Sequence, residues 1–217
     1  MNRTTRPALT LVCLAGILLS PSLHATTRTV SNSDDSGPGS LRAAIMASET
    51  GDSIVFSPNT NGVPILLTTG ELLINEDLTI VGNDTTNTVI SAGMTSRIFS
   101  ITGGVSVELR GVAMLMGQAD DGGALHVAGS EVILRDVAIH HSMAMLRGGA
   151  IFATGGTLWI SGSELAWNSA AGAAATEGGG AIFNVDNMLT VEGMSVIHHN
   201  MANGVSGSGG GLFTVSG

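Results

Sequence analysis

Gly148-Gly149-Ala150-Ile151-Phe152 returns as Gly179-Gly180-Ala181-Ile182-Phe183. Working outward from this pair, Gly122-Gly123-Ala124-Leu125-His126 lies upstream and Gly210-Gly211-Leu212-Phe213 downstream, with first glycines 26, 31 and 31 residues apart. A second element recurs between them, an alternating strand that ends in a turn residue. It reads Leu78-Thr79-Ile80-Val81-Gly82, Val107-Glu108-Leu109-Arg110-Gly111, Val132-Ile133-Leu134-Arg135-Asp136, Leu158-Trp159-Ile160-Ser161-Gly162 and Leu189-Thr190-Val191-Glu192-Gly193. Two interleaved motifs that keep one period mark a repeat architecture.

Period-two alternation broken by Gly, Asn, Asp and Ser makes each unit a set of two or three short strands. One unit has too little inward surface to fold alone, whereas stacked units share a continuous core. Neighbouring coils then sit about 4.8 Å apart, the ordinary strand spacing. The expected fold is all-β, a parallel β-helix of roughly five to six coils. Leu125, Ile151, Ile182 and Leu212 form one inward column, and Leu109, Leu134, Ile160 and Val191 a second. His126, Phe152, Phe183 and Phe213 form the next column, read as outward because it accepts a histidine, and Glu108, Ile133, Trp159 and Thr190 form another outward one.

Composition agrees with this reading and narrows the function. The chain has 217 residues, 31 of them glycine, and a formal charge of −9. All eight positive residues are arginine. So acidic a chain lacks the cationic patch that neutralises phosphates, so nucleic acid is not an expected partner. The lone cysteine, Cys13, supports neither a disulfide framework nor a Cys-based metal site.

Residues 1–25 read as a secretory signal: Arg3 and Arg6 precede the apolar run from Ala8 to Leu19, and Leu23-His24-Ala25 supplies a cleavage site before Thr26. Twelve apolar residues are too few to span a bilayer. Cleavage removes Cys13 and both arginines and takes the formal charge from −9 to −11. The expected address is therefore secreted or cell-surface, with no membrane helix in the mature chain. Residues 26–56 read as an N-terminal cap and first strand. In them Ser40 N-caps a short amphipathic helix with Leu41, Ala44, Ile45 and Ser48 on one face. Residues 57–217 hold the coils, which stop inside a coil at Val215-Ser216-Gly217. That ending reads as a C-terminally incomplete solenoid, a truncated product whose bare last coil invites self-association.

Ser36-Gly-Pro-Gly-Ser-Leu-Arg-Ala-Ala-Ile45, followed by Gly51-Asp52-Ser53-Ile54-Val55-Phe56, resembles the N-terminal cap of bacterial surface proteins that carry a Cys/Ser-Leu-Arg-Glu-Ala motif. Ala43 stands where that motif has Glu. The Gly-Gly-Ala-Ile/Leu repeats resemble those of the chlamydial polymorphic outer-membrane proteins. Those proteins add a Phe-x-x-Asn element, whose final Asn is missing from Phe152-Ala153-Thr154-Gly155 and Phe183-Asn184-Val185-Asp186. The resemblance covers roughly residues 27–217. It implies a right-handed β-helix, as the crossover rule for parallel strands also does. It further implies an exported bacterial surface protein, outer-membrane or extracellular, of the adhesin or autotransporter-passenger kind. It implies no catalytic residues.

Catalysis on this scaffold requires converging carboxylates and bases. The best acidic pair is Asp120-Asp121, whose counterparts on the next two coils are Leu146-Arg147 and Glu177-Gly178. No carboxylate patch builds up in that column except partially through Glu177, so turn chemistry is the expected role, with a calcium or catalytic site as the alternative. His140-His141 and His198-His199 hold nearly matching places two coils apart, with Trp167-Asn168 on the coil between. Two strand spacings are too far for shared metal ligation, so polar stacking beside Ser142, Asn168 and Asn200 is expected instead. Gly207-Ser-Gly-Gly-Gly-Leu212 lacks the lysine of a phosphate-binding loop. The expected binding feature is the Phe152, Phe183, Phe213 ladder as an outward contact strip for a host or cell-surface protein, a glycan or another subunit. The resulting expectation is a non-enzymatic interaction scaffold without cofactor or metal. A polysaccharide lyase or hydrolase on the same scaffold is the rival from another class.

Overall fold

The computed structural model describes residues 25–204, 206 and 209–216, so residues 1–24, which hold Cys13 and all but the last residue of the expected signal segment, lie outside the described residues. The described residues form four sheets, three of which run most of the length of the molecule, and every strand pairing within them is parallel. In the order the chain visits them, the first sheet holds Thr27–Val30, Asp52–Phe56, Leu78–Val81, Ser106–Arg110, Glu131–Arg135, Thr157–Ser161 and Met188–Glu192. The second holds six strands from Ile65–Leu66 through Ala138–His140 and Glu164–Ala166 to Val196–His198. A third, short sheet holds Gln118–Asp121, Met143–Arg147, Ser169–Ala170 and Met201–Ala202. The fourth runs from Leu72–Ile74 through Leu125–Ala128, Ile151–Thr154 and Ile182–Val185 to Leu212–Val215. This is a parallel β-solenoid.

The seven strands of the first sheet exceed the five to six coils expected. The earliest coils carry no Gly-Gly motif, and Thr27–Val30 is a complete strand without a glycine signature. Register reproduces the columns: Leu125 pairs with Ile151, Ile151 with Ile182 and Ile182 with Leu212. Leu109, Leu134, Ile160 and Val191 align in the same way. Both columns point into the core and are fully buried until the last coil, where Val191 and Leu212 are 39% and 45% exposed.

The paired glycines of the repeat serve two separate needs. Gly148 turns with φ +66°, in the left-handed region that glycine enters without steric penalty. At Gly149 an added Cβ would collide with the carbonyl oxygens of Gly180 and Ser169, so the second glycine lets neighbouring coils close on each other. The uneven period also has a location. From Ala144 to Arg147 the chain takes three steps, and between their partners Ala170 and Gly178 it takes eight. The extra residues form a corner at 171–177, and the sheets on either side keep their register.

At the N-terminal end, Leu41–Met46 forms a helix whose first turn is held by Ser40, its Oγ accepting from the N–H of Ala43 at 3.2 Å. Leu41 is buried, with Ala44 and Ile45 packed against the core. A relay of arginines then runs from coil to coil. Arg42 binds the Asp35 carboxylate at 2.7 Å and the carbonyls of Gly70 and Glu71. Arg97 binds the Glu71 carboxylate and the carbonyls of Asp121 and Gly122. Arg147 grips Asp121 with two bonds of 2.8 and 2.7 Å.

Candidate functional site

The corner between the second and third sheets repeats on four successive coils. Leu115, His140, Ala166 and His198 are in register. Each is followed by a residue with left-handed backbone: Met116 at φ 53°, His141 at 55°, Trp167 at 60° and His199 at 52°. One step further on, Gly117, Ser142, Asn168 and Asn200 turn inward. The N–H of Gly117 donates to Ser142 Oγ at 3.1 Å, that of Ser142 to Asn168 Oδ1 at 2.9 Å, and that of Asn168 to Asn200 Oδ1 at 2.9 Å. The Asn168 amide also donates to the carbonyl of Ile139, and the Asn200 amide to that of Leu165. Buried side chains thus satisfy backbone groups that the turn removes from the sheets.

This inner ladder fixes what stands outside it. His141, Trp167 and His199 stack, with ring centroids 6.5 Å apart at 8° and 4.2 Å apart at 16°. Trp167 is 54% exposed, and Met116, His141 and His199 are exposed as well. His199 lies close against the indole and His141 parallel to it at the greater distance, while His199 Nδ1 contacts His198 Nδ1. Most other left-handed positions among the described residues carry Gly or Asp, with Met94 and Met194 as the exceptions. The corner after the first sheet has Gly111, Asp136, Gly162 and Gly193, and the corner before the fourth has Gly122, Gly148, Gly179 and Gly209. A non-glycine residue in this region costs about 1–2 kcal/mol relative to the right-handed conformation. The ridge residues therefore hold their places at an energetic disadvantage to glycine.

Beside the ridge, Glu164 bridges the two histidine pairs. One carboxylate oxygen lies 2.8 Å from His198 Nε2 and the other 3.4 Å from His140 Nε2. The hydrogen bond from His198 is the main reason that the Glu164 carboxyl is held below its usual range. Burial pushes the His140 imidazole down, and Glu164 opposes that shift. The polar stacking expected of Ser142, Asn168 and Asn200 is present in this detail. Two features lay outside the sequence reading. Glu164 was not singled out, and the register sets His141 rather than His140 beside Trp167. Among the described residues, no group of three or more His, Cys, Asp or Glu is arranged to hold a metal ion.

The Phe column forms, but not as an exposed strip. Phe152 and Phe183 stack with centroids 5.9 Å apart, and Phe183 and Phe213 at 4.9 Å. Phe152 and Phe183 are only 7% and 1% exposed. The Arg147 guanidinium lies 4.6 Å from the Phe152 ring centre and 5.7 Å from that of Phe183. The column faces away from the core and is then covered, so Phe213, half-buried, is its most open member. Asp121 lies at the end of a strand and is neutralised by Arg147, while Glu177 accepts from the N–H of Ala174 within its corner. Gly207 and Ser208 of the glycine-rich segment lie outside the described residues. No protein-family model matches the chain, and no curated protein or solved structure is significantly similar to it.

Proposed function

We propose that this chain is an exported, non-enzymatic contact scaffold whose working surface is the ridge formed by His141, Trp167 and His199. One observation carries the reading: large exposed rings occupy consecutive left-handed corners where glycine would stabilise the fold. Strain of this kind persists when the surrounding structure fixes it, and it gathers where side chains are used. The solenoid supplies the rigidity, since each ring is set by the buried Ser/Asn ladder beneath it. Export rests on the N-terminal sequence of residues 1–25. The cell-surface and adhesin-like parts of the reading rest on the resemblance of the cap segment and the repeats.

The test is binding of the secreted full chain to bacterial and host cell surfaces and to immobilised glycans at neutral pH, with product release recorded in parallel. Asn tolerates left-handed backbone better than most residues, so Trp167→Asn removes the ring without breaking the turn. The expected outcome is retained binding by the parent chain, loss in Trp167→Asn, no released sugar ends, and a secreted product that begins at Thr26. Turnover of any glycan, or full binding by the variant, overturns the proposal.

A further inference from the structure

We propose that the corner at His141 is a site for a soft monovalent metal ion of the copper(I) class, held by the His141 imidazole and the thioethers of Met116 and Met143. This goes beyond the contact-scaffold reading and does not depend on it. A recurrence in the sequence opens the argument: His140-His141-Ser142-Met143 returns as His198-His199-Asn200-Met201. Both copies occupy the same corner, since His140 and His198 each pair with Ala166, and Met143 and Met201 each pair with Ser169. In each copy the inward Ser or Asn separates the second histidine from the methionine. Alternation therefore sets imidazole and thioether together on the outer surface.

The first copy has a third soft donor. Met116 holds the same left-handed corner position one coil before His141, and its N–H donates to the His140 carbonyl at 3.1 Å. In the second copy the preceding corner residue is Trp167. Adjacent coils lie about 4.8 Å apart, and positions two apart along a strand at most about 6.8 Å. A methionine side chain has three rotatable bonds and a polarizable sulfur, so Met116 and Met143 can both reach a metal ion seated on His141. Met116 is 44% exposed and Met143 half-buried, which leaves both side chains room to turn. At its left-handed φ, Met116 costs about 1–2 kcal/mol relative to a right-handed conformation. So exposed a side chain recovers little of that by burial, a sign of a residue kept for use.

The four histidines of this region differ in what they can still offer. His198 is engaged at both ring nitrogens, by Glu164 and by His199 Nδ1, and His140 Nε2 lies 3.4 Å from the Glu164 carboxylate. His141 makes only ring contacts, with His140 and Trp167, and neither of its nitrogens has a hydrogen-bond or ion-pair partner among the described residues. The donor set then selects the ion. Imidazole and thioether are neutral, and Gln118 and Ser169, which flank Met143, add no charge. Thioether sulfur prefers copper(I) to the harder divalent ions. Among the described residues no His, Cys, Asp and Glu group is arranged for zinc-type ligation. The formal charge of −9 attracts cations to the surface as a whole, and the sulfur atoms supply the preference among them.

The test titrates the secreted full chain with silver(I) in chloride-free buffer, with copper(I) kept reduced by ascorbate under nitrogen, and with zinc(II). Bound metal and tryptophan emission are both recorded, because Trp167 stands beside His141. The expected result is one tight equivalent of silver(I) or copper(I), quenched emission, and zinc(II) binding at least about tenfold weaker. Met116→Leu/Met143→Leu keeps side-chain volume and removes both sulfurs. It should weaken copper(I) binding by at least about tenfold, since even supporting groups around a metal are worth that much. His141→Asn, which tolerates the left-handed turn, should weaken it as well, and circular dichroism should be unchanged in both variants. Met201→Leu should retain the tight equivalent. Zinc(II) binding as tight as copper(I), or undiminished copper(I) affinity in the double methionine variant, overturns the proposal. Loss of the tight equivalent in Met201→Leu alone moves the site to the second copy and overturns it too.

Discussion

Asn168→Ala is expected to be among the most damaging polar substitutions in the chain. The side chain is 1% exposed, accepts from the N–H of Ser142 at 2.9 Å and donates to the carbonyl of Ile139 at 2.9 Å. Truncation leaves both groups without a partner inside the solenoid, and each such loss costs about 1–3 kcal/mol. The sum is about 2–6 kcal/mol, or roughly 4–24 °C in melting temperature for a chain of this length. Urea unfolding followed by far-UV circular dichroism and by tryptophan emission measures it. Two companions make the reasoning specific. Asn200→Ala removes the equivalent bond one coil on, but Asn200 is half-buried and water replaces part of what is lost, so a smaller effect is expected. Asn168→Asp keeps the acceptor for Ser142 but sets a carboxylate against Asn200 Oδ1, 3.0 Å from the present amide nitrogen. It should be as harmful as alanine at neutral pH and partly relieved in mild acid. An alanine variant within about 1 kcal/mol of the parent, well below the lost-bond range, or Asn200→Ala proving the worse of the two, would refute the ladder as a source of stability.

Gly149→Ala should prevent correct stacking of adjacent coils, because its Cβ meets two backbone carbonyls. Gly155→Ala, at φ +57° but with nothing within 4 Å, should cost only about 1–2 kcal/mol; similar expression yields and melts for the two variants would contradict the close-approach argument. Arg147→Ala should destabilise by about 1–3 kcal/mol through loss of the Asp121 pair and the cover over Phe152. Arg147→Lys should recover less than half of that, since an ammonium offers neither the fork nor the plane; chemical denaturation of both variants decides it. The Asp52 carboxyl is held well below the usual range, chiefly by the Thr26 hydroxyl and the backbone N–H groups of Thr26 and Glu49. Asp84 is lowered from 3.8 to about 2 by the Thr86 hydroxyl and the Asn87 amide. Groups lowered on folding contribute fully above the unfolded value and lose that contribution as acid protonates them in the fold. Melting temperature should therefore fall between pH 4 and 2, and Asp52→Asn should start lower and fall less steeply. His140 is lowered by burial, so its effect on stability is neutral above about 6.5 and unfavourable as pH drops past that value.

Much of the solenoid was legible because its signals are periodic. The Gly-Gly columns and alternating strands state the register directly, and inward columns such as Leu109-Leu134-Ile160 need only apolar side chains two residues apart. The first coils were undercounted because Thr27–Val30 and Ile65–Leu66 are short and bordered by unremarkable turns. The ridge was half legible. The histidine pairs and Asn168 were visible as a recurrence. Their pairing depends on a one-residue offset, because Ser161 to Glu164 takes three steps whereas the partners Glu192 to Val196 take four. Glu164 could not be found by scanning for clusters, since it lies 24 and 34 residues from its two histidines. Aligning by strand register instead of by sequence distance would have placed it between them. The covering of Phe152 and Phe183 was hidden for a similar reason. It depends on Arg147 folding back across the sheet while held by Asp121 on the previous coil, and a column pattern does not record what lies above it.

The corner at 171–177 shows that chain length and cross-section are separately adjustable in this molecule. Five more residues leave the core at Ala170 and return at Gly178 without shifting the rungs that follow, because Ile151 still meets Ile182 and Phe152 still meets Phe183. A lineage carrying this fold could therefore enlarge or redecorate that edge through insertions of any length while the interior sequence stayed fixed. An epitope or enzyme tag spliced between Ala173 and Thr176 should be carried as a side branch and displayed at a fixed height along the rod, with the ridge one corner away undisturbed.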